Sequence, residues 1–124
     1  MTSLAHSSSL TPGAVLTKAT LRAGRRLGLT DAALGAILGV SGASISRLGG
    51  GRRTIGPGAK EGQLALLFLR MYRSLDALLG DAESCRKWLH AENRHLGQIP
   101  ARLIASVEGL VHVTQYLDAL RGKN

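Results

Sequence analysis

The chain has 124 residues, 44% of them hydrophobic and 3% aromatic, which suffices for one compact domain or two small ones sharing a core and excludes global disorder. Abundant Ala, Leu and Gly with so few aromatics favour helices over sheets, and a single cysteine, Cys85, excludes an internal disulfide. The net charge of +8 is lopsided: eight Lys or Arg stand against one acid up to Lys60, and eight against seven from Glu61 onward, so an anionic polymer, most simply DNA, is expected on the first half.

Taken in order, Met1 to Gly13 is rich in Ser and Thr and reads as a flexible tail. Val15, Leu16, Ala19 and Ala23 lie at helical spacing, predicting a first helix over Ala14–Leu27 that ends near Gly28. Thr30 is the expected N-cap of a second helix, with Asp31 in its first turn, an apolar stripe of Leu34, Ile37 and Leu38, and Gly39 as its left-handed stop. Ser41 caps a third helix containing Ile45 and Leu48, and Gly49-Gly50-Gly51 ends it. The break runs on through Gly56-Pro57-Gly58 to Lys60.

A long fourth helix is predicted over Glu61–Leu79, with Leu64, Leu67, Phe68, Met71, Leu75 and Leu78 on one face. Leu66 and Leu69 add apolar surface beyond that stripe, which predicts a homodimer interface at these two residues. Asp81 starts a fifth helix through Leu89, Pro100 a sixth to Ala105, and Val107–Leu120 forms the last, with Leu110, Val113, Leu117 and Leu120 aligned. The expected fold is all-α, with a tail over 1–13, a DNA-binding region over 14–58 and a second helical unit over 59–124. The longest apolar run, Leu64 to Leu69, is far short of the roughly 18 residues of a membrane span. With no leader pattern either, a cytoplasmic protein without membrane contact is expected.

Asp31 to Leu48 carries the sharpest signal. Gly35 is small where two backbones would touch, Gly39 opens a tight turn, and Leu34, Leu38, Ile45 and Leu48 are inward plugs. That spacing fits two helices crossing steeply, a helix-turn-helix, although short Leu/Ala/Gly helices in any small bundle produce similar spacings. Ser41, Gly42, Ala43, Ser44, Ser46 and Arg47 would then face outward, and side chains this short let a helix sit deep in a major groove. Ser41, Ala43, Ser44, Ser46, Arg47, Arg52 and Arg53 are therefore the candidate DNA contacts. Arg47 suits a guanine edge or a phosphate; Ser41 and the free amides beside it suit a phosphate, as do Arg52 and Arg53. Arg22, Arg25 and Arg26 either add phosphate contacts or form a solvated face. Leu29 to Leu48 resembles the Xre family of helix-turn-helix regulators. It departs from that family where Gly42 and Ala43 replace a bulky polar residue.

No catalytic or metal set emerges, and no cofactor is expected. His90 and His95 are five apart, and no cysteine or acid pair completes a zinc site with them. His6 and His112 read as surface or packing residues. Arg86 and Lys87 follow Cys85 in sequence and could lower its pKa, but no histidine is spaced to activate it. A binding protein rather than an enzyme is expected.

Trp88-Leu89, Asn93, Leu96-Gly97, Pro100, Leu103, Gly109, Val113, Leu117 and Gly122 form an ordered series. It is similar to the C-terminal toxin-binding domain of Xre, MbcA and ParS antitoxins, with Gln98 where that family has a second glycine. The resemblance, from about Gly62 to the end, implies an antitoxin that covers the active-site cleft of a RES-domain, NAD-depleting toxin and represses its own operon. It points to Asn93, Arg102, Arg121, Lys123 and Asn124 as the toxin side, a basic tail suiting a cleft built for an anionic dinucleotide. The alternatives are a stand-alone dimeric regulator without a toxin partner and a polar scaffold of the ParS kind.

Overall fold

The computed structural model describes residues 11–122. Within them lie seven helices: α1 Pro12–Arg26, α2 Asp31–Leu38, α3 Gly42–Gly49, α4 Lys60–Leu79, α5 Ala82–His90, α6 Pro100–Leu103 and α7 Val107–Leu120. The described residues contain no strand; an isolated bridge between Asn93 and Gln98 closes a turn. The fold is all-α, a helix-turn-helix unit followed by a C-terminal helical unit. No single helix among the described residues is long and apolar enough to cross a membrane.

Local chemistry sets most helix ends. Thr30, Ser41, Asp81 and Ser106 each accept a backbone N–H of the following first turn, satisfying a donor that has no partner inside the helix. The expected tail lies outside the described residues as far as Leu10. Thr11 already belongs to the fold: its Oγ1 accepts from Ala14 N at 3.2 Å. Pro12 takes the first helical position, where its missing N–H costs nothing. α1 therefore begins two residues before the expected Ala14. α6 stops at Leu103, shorter than the expected Ala105, as the chain turns toward the Ser106 cap.

α4 is the spine, packed against α1, α2, α5 and α7. Phe68, Met71 and Leu75 are fully buried along it and meet Leu27, the C-cap of α1, and Leu110, Val113 and Leu117 of α7 in one continuous core. Each such side chain contributes about 1.5–3 kcal/mol by leaving water. A helix covered by four neighbours needs apolar residues on more than one side. That is why Leu69, expected at a dimer interface, is instead 6% exposed in the protomer's own core, while Leu66 remains 55% exposed. Leu78 and Leu120, expected inside, are exposed near the ends of α4 and α7.

Ile55 sits alone in a polar, glycine-rich segment yet is buried. Its N–H donates to Thr17 Oγ1 at 2.8 Å, and that hydroxyl donates on to Gly13 O at 2.7 Å. The 50–60 segment is thereby tied to α1. At the other end of α1, Arg86 Nη1 donates to Arg26 O at 3.1 Å, and His90 Nε2 lies 2.8 Å from Leu27 O. A carbonyl only accepts, so this nitrogen carries the ring proton. Side chains of α5 thus satisfy carbonyls at the end of α1, and the cationic Arg86 also complements its negative end.

Candidate nucleic-acid interface and partner-binding end

α2 and α3 meet at 104°, within the range of a helix-turn-helix. The geometry rests on small residues. Gly39 has φ +76°, a left-handed turn that glycine adopts without cost. A Cβ on Gly35 would lie 2.6 Å from Val40 O, so the second helix and the turn approach to backbone contact. Ile45 and Leu48 plug the core beneath. This leaves one face of α3 outside, carrying Ser41, Ala43, Ser46 and Arg47, all exposed.

Ser44 differs from expectation. It is buried, one turn before Leu48 and beside Ile45. Its hydroxyl is used internally, accepting from Ser41 Oγ at 3.1 Å and from Arg47 Nη2 at 2.9 Å. Ser41 Oγ in turn caps α3 through Ser44 N at 3.1 Å. The serine pair therefore shapes the start of α3 and steadies the Arg47 guanidinium.

Arg52 is exposed. Arg53 is held by Glu61, Nη2 to Oε1 at 2.5 Å, and Glu61 Oε2 also accepts from Gly56 N at 3.2 Å. This ion pair fastens the glycine-rich segment to the first turn of α4. Spacing alone did not show it, because partners eight residues apart across a break follow no periodic rule. Reading along the chain also missed Lys18. With Arg22 and Arg25 it borders a groove of about 340 Å³ between α1 and the end of α3.

The partner-binding candidates are spread out. Asn93 is built into a turn: its Oδ1 accepts from Leu96 N at 3.0 Å, its N–H donates to Gln98 O and its carbonyl accepts from Gly97 N. Gly97 is left-handed at φ +82°, and Gln98 takes the following position without needing that conformation. Arg102 is exposed on α6. Lys123 and Asn124 lie outside the described residues. Arg121 donates from Nη1 to Ser74 Oγ at 3.0 Å. Ser74 Oγ donates to Asp118 Oδ1 at 2.7 Å, and Arg70 Nη2 to Asp118 Oδ2 at 2.6 Å. The Ser74 hydrogen bond, then Arg70, hold the nearly buried Asp118 carboxyl below the usual carboxylate range. The network ties the end of α7 to α4.

Elsewhere in this half, Trp88 and His95 stack on Tyr116, with ring centroids 6.5 and 6.0 Å away. Burial, followed by the Asp76 carboxylate, pushes the Cys85 thiol up, against the lowering suggested by its basic sequence neighbours. No group of three His, Cys, Asp or Glu among the described residues is placed to hold a metal ion.

Two family models match the chain. One, described as the antitoxin Xre-like helix-turn-helix domain, covers residues 7–70. The other, the antitoxin Xre/MbcA/ParS C-terminal toxin-binding domain, covers residues 74–123. No curated protein matches the sequence.

Proposed function

The chain belongs to the Xre-like helix-turn-helix antitoxins, and from that premise we propose that it neutralises a RES-type, NAD-degrading toxin and carries the complex onto its own operon DNA. Its antitoxin role within a toxin–antitoxin system follows from the two matched domains; the toxin class, the operator and the assembly are the proposal. The observation that carries the DNA part is the exposed face of α3, where Ala43 and Ser46 are small enough for close approach and Arg47 is steadied by Ser44. Arg47 reads a base edge or grips a phosphate; Ser41, Arg52 and the free edge of Arg53 flank it. Ser44 contributes by holding Arg47, not by touching a base.

On the partner side, Asn93, Arg102 and Arg121, together with Lys123 and Asn124, are assigned to the toxin contact on the strength of the matched toxin-binding domain. The protein works in the cytoplasm as a homodimer in which Leu66 of each copy contributes to the seam. Two-fold pairing sets the recognition helices about 34 Å apart, one DNA turn. Both jobs are binding, with no chemistry on this chain.

The test separates the halves. Arg47→Ala should weaken binding to the chain's promoter duplex by roughly five- to hundredfold, the worth of one good base contact, and leave toxin neutralisation intact. Equal loss of both activities would refute the division. Normal DNA binding with no toxin neutralisation would favour a stand-alone regulator.

A further inference from the structure

Lys18, Arg22 and Arg25 are four and three residues apart on α1, so they share one face of the helix. All three are exposed, and none has a carboxylate oxygen within salt-bridge distance among the described residues. Neighbouring like charges on a helix destabilise it; an anion laid along them removes that cost. The row forms one wall of a groove whose other wall is Leu48, Gly49 and Gly51, at and beyond the end of α3. Thr17 and Leu21 are buried beneath it. The Arg25 guanidinium reaches across to α3: a Cβ on Gly49 would lie 3.5 Å from its Nη2.

We propose that this groove is a second nucleic-acid contact, taking the sugar–phosphate backbone that borders the major groove at the C-terminal end of α3. The proposal rests on the DNA reading above and extends it to residues outside the helix-turn-helix. α3 has eight residues, which at 1.5 Å each makes about 12 Å, the width of the major groove. A helix of that length, entering by its Ser41 end, leaves its far end beside a strand. Gly49 and Gly51 put no side chain in the way of that strand, and Lys18, Arg22 and Arg25 supply the charge. Such contacts position the protein and raise affinity without reading sequence.

The experiment uses the full chain and two duplexes of equal length, one from its own promoter and one unrelated. Binding is followed by fluorescence anisotropy between about 50 and 200 mM salt, the range over which counterion release is large. Replacing Arg22 and Arg25 together by Ala should weaken both duplexes by the same factor. The salt slope should fall by about 0.9 per lost contact, so the affinity lost across that range shrinks about tenfold. The Lys-for-Arg double variant keeps the charge and should retain the slope. Thermal melts of each variant check that folding is intact.

Wild-type affinity and slope in a folded Ala double variant would overturn the proposal. So would loss of toxin binding in place of DNA binding, which would mean that the groove holds an acidic protein segment. If the unaltered chain binds neither duplex, the DNA reading fails and this inference fails with it. If Arg47→Ala changes the preference between duplexes while the α1 variants change nothing, only this inference fails.

Discussion

Gly109 is the third residue of α7, and a methyl group there has nowhere to go. A Cβ would stand 1.8 Å from Leu103 O and 2.6 Å from Leu103 C, where ordinary contact begins near 3.4 Å. Gly109→Ala gains about 1 kcal/mol of helix propensity. Against this, forcing α6 and α7 apart costs about 1–3 kcal/mol, as overpacking does. The same movement strains the Ser106 cap, whose Oγ accepts from Gly109 N at 3.0 Å and is worth about 1 kcal/mol. The net effect at the upper end of that range is a destabilisation of about 3 kcal/mol. At roughly 4 °C per kcal/mol for a chain of this size, the melting temperature should fall by about 12 °C. Gly58 is the control: its Cβ would meet nothing within 4 Å, and its φ is not positive. Gly58→Ala should therefore leave stability level or raise it by up to about 1 kcal/mol. Thermal unfolding followed by far-UV circular dichroism reads both. A Gly109→Ala protein melting at or above the unaltered chain would refute the close seating of α7 on the 103–106 turn, and with it the placement of Asp118 and Arg121.

Three further outcomes follow from the same structure. Ser74→Ala removes one donor to the nearly buried Asp118 and releases Arg121, so urea unfolding should show a loss of about 1–3 kcal/mol; an unchanged midpoint would mean that the network is idle. Asp118 has a folded pKa below its unfolded one, so its stabilisation is complete above about pH 4–5 and disappears as pH falls through the folded value. Asp118→Asn should accordingly destabilise the protein at neutral pH and flatten the acid limb of its stability curve, whereas an identical acid limb would contradict the shift. Leu66 is 55% exposed, and Leu66→Glu should move sedimentation from dimer to monomer without lowering the protomer's melting temperature; an unaltered sedimentation coefficient would place the seam elsewhere.

Much of the fold was legible because its signals are local. Thr30, Gly39 and Ser41 bracket α2 and α3 by capping and turn chemistry that acts within four residues, and Val107–Leu120 shows its core face at helical spacing. Features that depend on distant partners leave no local mark. Ser and Thr near the N-terminus read as tail, yet Thr11 and Pro12 start α1. Ile55 had no apolar neighbours to mark it, and its burial depends on Thr17, thirty-eight residues away. Leu69 is surplus to a single apolar stripe, and only the cover of four helices over α4 accounts for its burial. Ser44 shares the polar character of its outward neighbours, and only its position above Leu48 turns it inward. At the candidate interface, Arg53 and Lys18 show the same limit: the first is claimed by Glu61, and the second gains meaning only beside the end of α3.

The most direct test is the NAD content of cells expressing the reading frame adjacent to this gene, with and without this chain. NAD should collapse when that frame is expressed alone. Co-expression of the full chain should restore it, as should its Arg47→Ala form. NAD that stays depleted with the full chain present, or that never falls without it, would refute neutralisation of a NAD-degrading toxin by this chain.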